Sequence, residues 1–308
     1  MSISDRLREL WQYRGLIRNL VARDLKVRYR NSILGIVWSW VNPLLMMLVF
    51  TVVFNFLYAQ SDLAQYHVFL LCALLPWQFF SQALTEATNS IVENAHLIKK
   101  VYFPREVLPI SIVLSNLVNY VIALPVFFGL ALVSGARITP WALLLPVPLL
   151  VQAMFSLGIC MALATLNVFY RDTRIILGVL IQAWFFLTPV FYPISQIGRE
   201  KTILGITFDA QLWLRRLNPM ASVIASYRDL LYWGTYTGLD FLLRTAVTSL
   251  IILAVGYAVF LRHSHRFGEE VCVCASQRYR HTRRVGWPLT RPFSPVAGPS
   301  IASPTPYV

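Results

Sequence analysis

The apolar residues of this chain fall in blocks of about 20 or more, the length of α-helix that crosses the hydrocarbon of a bilayer. That limits the fold more than any other feature. A spanning segment has no water to satisfy its backbone, so it must be a helix or part of a closed barrel. A barrel needs short alternating segments, and these blocks are continuous. Hydrophobic types make up 57% of the 308 residues and charged types 13%, against about 25% charged in soluble domains. The expected fold is therefore an all-α integral membrane protein.

Six spans are expected, at about 33–58, 67–84, 110–133, 141–165, 175–193 and 243–261. Residues 1–32 read as a cytoplasmic amphipathic interface helix. Leu7, Leu10, Trp11, Ile17, Leu20, Val21 and Leu25 share one side, and Arg14 and Arg18 interrupt the stripe with stems that can snorkel. A solvated charged leader is the alternative. No short apolar core precedes a small-residue cleavage site, so a cleavable signal peptide is not expected. The transmembrane domain is expected over 33–262. Residues 263–308 form a basic tail rich in Pro, Ser and Arg, with the composition of disorder.

Twenty of the 27 Lys and Arg fall in the N-terminal segment, the loops at 85–109 and 166–174, and the tail. By the positive-inside rule both termini are cytoplasmic. The net charge of +13 then suits anionic lipid; it is spread along juxtamembrane segments, which argues against nucleic acid. Cys72 and Cys160 sit in apolar blocks. Cys272 and Cys274 lack a second ligand pair, so neither a disulfide framework nor a metal site is expected.

The spans hold almost no ionisable residue at their centres; His67 and Arg244 lie at ends. Ion-coupled carriers need such groups at depth. No GxxxxGK[ST] loop is present, so energy for transport would come from a partner. Asp172, between Arg171 and Arg174, reads as a structural ion pair rather than a catalytic acid.

Four stretches carry a family resemblance: LVARDLKVRYRNSILGIVWSWVNPLL (20–45), ENAHLIKKVYFPREVLPIS (93–111), LNVFYRDTR (166–174) and LNPMASVIASYRDLLYWG (217–234), with FGEEV at 267–271. The chain resembles the permease subunit of ABC-2 type exporters, in the branch that exports lipid-linked polysaccharides of O-antigen, capsule or teichoic-acid type. The resemblance implies a homodimer of this chain in the bacterial inner membrane, bound to two copies of an ABC ATPase. ATP and Mg belong to that ATPase, and this chain carries no cofactor and no catalytic residue. ABC-2 export of drugs or lipids, an ion-coupled carrier and a membrane glycosyltransferase remain as alternatives.

The resemblance also implies site residues. A coupling helix to the ATPase maps to Asn94–Arg105. Asn94 (or Glu93) would cap it, Leu97, Ile98 and Val101 would form its apolar face, Lys99, Lys100 and Arg105 would point out, and Pro104 would stop it. An ordinary cytosolic loop is the plainer reading. Arg23, Lys26, Arg28 and Arg30 would meet lipid phosphates or acidic groups of the ATPase, or serve as a general positive-inside anchor. Two short re-entrant helices within 194–241 would gate the outer end, with Pro193, Asn218, Pro219, Tyr227 and Arg228 there; a periplasmic loop with an aromatic belt is the alternative. Trp38, Trp40, Phe50, Phe54 and Tyr58 on the first span, and Trp184, Phe185, Phe186 and Tyr192 near the end of the fifth, would line a channel. Their faces suit pyranose C–H surfaces, with Asn42, Asn55, Gln182 and Thr188 for hydroxyls. Packing or lipid-facing aromatics explain any one of them as well.

Overall fold

The computed structural model describes residues 3–29, 35–58, 65–136, 139–197, 200–203, 206–235, 239–268 and 270. Its helices are α1 (Ile3–Gln12), α2 (Arg14–Tyr29), α3 (Trp38–Tyr58), α4 (Tyr66–Glu93), α5 (Ala95–Lys100), α6 (Val107–Val133), α7 (Pro146–Phe169), α8 (Thr173–Leu187), α9 (Ala210–Leu217), α10 (Pro219–Arg228) and α11 (Leu239–Ser264). Among the described residues four helical stretches are long and apolar enough to cross a membrane: Tyr66–Lys100, Val107–Val133, Pro140–Phe169 and Phe241–Ser264. Trp38–Phe54 and Thr173–Leu187 are apolar but shorter.

α4 is the hub, in contact with α3, α6, α7, α8 and α10. Its stretch Val68–Trp77 is apolar on every side of the helix, and every residue in it is buried, as a helix without a polar face requires. Lower down, Phe80 stacks on Phe155 of α7 at 5.6 Å, and Trp184 of α8 meets the Phe80 ring edge-on at 5.1 Å. Lipid tails are as apolar as leucine, so close packing rather than escape from water holds such helices together. α7 and α11 show this most clearly. A Cβ on Gly256 would lie 2.0 Å from the Gly158 carbonyl oxygen, and one on Gly158 would lie 2.7 Å from the Ile252 backbone. Only glycines permit that approach.

Several expectations need correction. The segment TEATNSIVE, read as a polar loop after a span ending near 84, continues α4 as helix to Glu93. Thr85 and Thr88 return their hydroxyls to the carbonyls of Ser81 and Leu84, at 2.8 and 2.7 Å, so their polar groups are satisfied within the helix. Ala87 and Ile91 are buried against neighbours. The single interface helix expected over 1–32 is a pair, α1 and α2, interrupted at Tyr13. Leu20 is buried against Ile91 and Val107, and Trp11 is 68% exposed. α2 docks on α6, which draws it into the helical body. The all-α architecture carries one small addition, an antiparallel hairpin in which Glu200–Ile203 (β1) pairs with Ile206–Asp209 (β2). α8, the span expected over 175–193, ends at Leu187, since Pro189 cannot extend the ladder and restricts Thr188 before it. Asp172 makes no ion pair among the described residues. Cys72 and Cys160 are buried and unpaired. The tail from 271, with Cys272 and Cys274, lies outside the described residues.

Candidate functional site

Three polar centres stand out in this apolar body. The first is at the end of α2. Arg28 Nη2 donates to both carboxylate oxygens of Glu86 on α4, at 2.7 and 2.9 Å. Its Nη1 donates to Asn116 Oδ1 on α6 at 3.2 Å, and Asn116 Nδ2 donates to Glu86 Oε2 at 2.7 Å. Each member of this three-helix knot is satisfied by the other two. Beside it the Tyr29 hydroxyl donates to Asn119 Oδ1, and Ser39 Oγ, 2.7 Å from that hydroxyl, lies 2.9 Å from the same oxygen, so the two protons of these hydroxyls are shared within one Tyr29–Ser39–Asn119 cluster. Between α3, α4 and α6 these residues border an open cleft of about 360 Å³, which also takes in Gln78, Gln82 and Asn42.

The second centre is the corner between α4 and α6. Asn94 does not cap α5. Its amide nitrogen instead donates back to the Ser90 carbonyl at 2.9 Å, while its oxygen accepts from Arg23 at 3.4 Å. α5 is six residues, ending at Lys100 well before Pro104. Leu97 and Ile98 turn inward onto the cluster around Leu20 and Phe103. Val101 and Tyr102, in the extended stretch after α5, project outward, 53% and 90% exposed. Arg105 is half-buried rather than outward, with one buried Nη1 lacking a hydrogen bond. Burial holds its pKa below the usual arginine value, with Glu106 opposing the shift. Glu106 is buried and paired with Arg6 of α1 at 3.2 Å.

The third centre joins α8 to α10. Asn218 caps α10, accepting from the backbone of Met220 at 3.1 Å and Ala221 at 3.4 Å. The same oxygen accepts from Trp184 Nε1 at 2.9 Å, and Asn218 Nδ2 donates to Thr188 Oγ1 at 2.9 Å. At the other end of α10, Arg228 is buried; it donates to the carbonyl of Pro189 at 2.6 Å and to that of Val190. Tyr227 is buried with its hydroxyl on Gln152 Oε1 at 3.0 Å. Among the described residues no group of three His, Cys, Asp or Glu is placed to hold a metal ion.

Residues 15–232 match the family described as ABC-2 type transporter. The chain belongs to the ABC-2 type transporter family. An O-antigen export system permease protein, RfbA, of Myxococcus xanthus is 37% identical over 265 residues, 86% of this chain and 98% of that one. A protein of the same description from Klebsiella pneumoniae is 33% identical over 250 residues, 80% of this chain and 91% of that one. The polysialic acid transport protein KpsM of Escherichia coli is 23% identical over 259 residues, 79% and 92% of the two chains. This ABC-2 type chain is thus a multi-pass membrane protein.

Within the ABC-2 framework, the aromatic residues singled out from sequence separate into two groups. Phe50, Phe54 and Phe185 meet through Phe191: Phe54 stacks on Phe191 at 4.9 Å and Phe50 lies 5.7 Å from Phe185. Tyr192 touches Phe191 edge-on at 5.0 Å. Trp184 is committed to Asn218, whereas Phe186 is exposed. Trp38 and Trp40 are exposed at the other end of α3, with Trp40 Nε1 on the Ile122 carbonyl at 2.8 Å. Tyr58 is the last residue of α3 and its side chain lies outside the described residues, as does Arg30 entirely. Lys26 is exposed and Arg23 also bonds Asp24 at 3.0 Å. Thr188 is buried and doubly bonded, so it is not free for a sugar hydroxyl. Of the outer residues, Tyr227 and Arg228 are interior, not surface, groups, while Pro193 and Pro219 are half-buried beside them.

Sequence reasoning missed Glu86, Asn116, Asn119 and Gln152. A readable sign was the spacing of Gln78, Gln82 and Glu86, which puts three polar residues on one helix face.

Proposed function

We propose that this chain is the membrane permease of an ATP-driven exporter of lipid-linked polysaccharide, of O-antigen or capsule type. The observation that carries the reading is the likeness to an O-antigen export permease along 98% of that protein's length, at 37% identity. Likeness to KpsM, a polysialic acid transport protein, supports the same branch.

In this reading α3 and α8 join the four longer helices to make six spans, both termini are cytoplasmic, and two copies of the chain form the pathway. α9 and α10 are the re-entrant pair that closes its outer end. ATP and Mg act on a partner ATPase, present in two copies. The corner from Asn94 to Arg105 is its seat, with Val101 and Tyr102 as apolar anchors because they are the members that project. An anchor works by offering apolar area to a groove; Leu97 and Ile98 have already spent theirs inside the chain. ATP-dependent movement of the corner would shift α4, and the dimer would alternate between two arrangements with different ATPase contacts.

The test is reconstitution of the chain with its partner ATPase in liposomes loaded with lipid-linked glycan. Glycan should cross only with ATP. Transport by the chain alone, driven by an ion gradient, would overturn the proposal.

A further inference from the structure

We infer that the polar face of α4 is the wall on which the hydroxyls of the passing glycan are hydrogen-bonded. This rests on the export reading above and names the residues that meet the cargo.

Between Val68 and Ile91, every α4 residue that the fold leaves partly accessible is polar: Gln78, Ser81, Gln82, Thr85, Glu86 and Asn89. All the apolar residues of that stretch are buried. This inverts the pattern of a helix facing lipid, which shows apolar residues outward. At 1.5 Å per residue, Gln78 and Gln82 lie about 18 and 24 Å along the helix from Tyr66, well inside a hydrocarbon layer about 30 Å thick. Polar side chains at that depth face protein or a water-filled cavity. Here they face a space: the cleft bordered by Ser39, Asn42 and Asn119 opens directly on Gln78 and Gln82. A second cleft, of about 520 Å³, continues along Thr85, Asn89 and Glu93 towards the inner end and shares Arg28 and Glu86 with the first. Together they make one track.

The chemistry of the track selects its ligand. Neither Gln78 nor Gln82 has a side-chain hydrogen bond to another described residue, so both amides are free to donate and accept. The one arginine shared by the two clefts, Arg28, is engaged by Glu86 and Asn116. Its charge is matched, and its geometry is closed to an incoming phosphate. What remains in the first cleft is a set of neutral amides, Gln78, Gln82 and Asn42, which fits uncharged polyhydroxy chains; charge returns only in the second cleft, where Arg23 is paired with Asp24 at 3.0 Å and Glu93 is exposed. Spaced contacts of ordinary strength hold such a chain without trapping it.

The test uses the complete transporter, this chain with its ATPase, in inside-out vesicles. Cys272→Ser and Cys274→Ser remove the two cysteines outside the buried pair. In that background Gln82→Cys is compared with Leu250→Cys on the exposed apolar face of α11, using a charged, membrane-impermeant thiosulfonate. Gln82→Cys should react, Leu250→Cys should not, and lipid-linked glycan should slow the reaction at Gln82→Cys. Gln78→Leu with Gln82→Leu should assemble with the ATPase and export about fivefold more slowly for each hydrogen bond of average strength lost. If Gln82→Cys resists the charged reagent as Leu250→Cys does, or glycan gives no protection, the inference is overturned. Full-rate export by the double leucine variant would overturn it too, while leaving the export reading intact. An unsubstituted transporter that moves no glycan would instead bring down the export reading.

Discussion

The guanidinium of Arg228 lies 3.7 Å from the centre of the Phe69 ring, inside the fold. The ring of α4 supports one face of the cation, and the carbonyls of Pro189 and Val190 take its edge. Those carbonyls follow the end of α8, where Pro189 leaves the backbone without helical partners. Arg228 supplies them. Replacing it with Met strands both; each charge-assisted bond removed costs about 1.5–3 kcal/mol. Arg228→Met should lower the thermal midpoint in detergent markedly and abolish export. Arg228→Lys keeps the cation over Phe69 but cannot fork to two carbonyls, and should fall between. A midpoint unchanged in the Met variant would contradict this role.

The corner residues divide by direction. Leu97→Asp puts a carboxylate into the cluster around Leu20 and Phe103 and should reduce the amount of folded permease itself. Tyr102→Asp alters a side chain that is 90% exposed and should leave the permease folded. Co-purification of the ATPase separates them: Tyr102→Asp should lose the partner while size-exclusion behaviour of the permease alone stays normal. Retention of the ATPase by Tyr102→Asp would remove Tyr102 as an anchor.

The glycine contact between α7 and α11 predicts an asymmetric tolerance. A methyl at Gly256 meets the Gly158 carbonyl at 2.0 Å, with backbone on both sides and nothing flexible to yield. Gly256→Ala should cost about 1–3 kcal/mol as an overpacked core does, read as earlier heat-induced aggregation. Gly178→Ala, on α8 with open space around it, should be neutral.

Asn218 ties two helices together, capping α10 and binding Trp184 and Thr188 of the α8 end. Loss of an N-cap alone costs about 1 kcal/mol. Asn218→Ala should cost more than that, because the Trp184 indole is also left unpaired. Asn218→Asp keeps the accepting oxygens for the cap and the indole, and should restore stability in part. Tryptophan fluorescence during thermal unfolding reads both effects.

The long apolar helices were legible because length and composition alone define them: α6, α7 and α11 fall within a few residues of the expected spans at 110–133, 141–165 and 243–261. The C-terminal end of α4 was not, because Thr85, Thr88 and Ser90 signal a loop by type while their hydroxyls are spent on the helix's own carbonyls. Arg228 sat in a segment assigned to the outer face, and no local pattern announces that carbonyls forty residues upstream will enclose it. The hairpin β1–β2 lacked the Asn-Gly or Asp-Gly turn that marks such units. For the candidate site, Leu97, Ile98 and Val101 are periodic in sequence, yet the helix ends before Val101, so the face that periodicity drew is divided between core and solvent.

α4 runs unbroken for 28 residues, about 42 Å, from Tyr66 to Glu93. Near one end Phe69 bears Arg228; towards the other Glu86 holds Arg28, and Asn94, just past the helix, is bonded to Arg23. A strut of that length is stiff along its axis, and Pro76 is the one residue in it that lacks a backbone donor. Pushing its foot by an ångström therefore displaces its head by a comparable amount, with Pro76 the natural elbow if the stroke is to turn into a tilt.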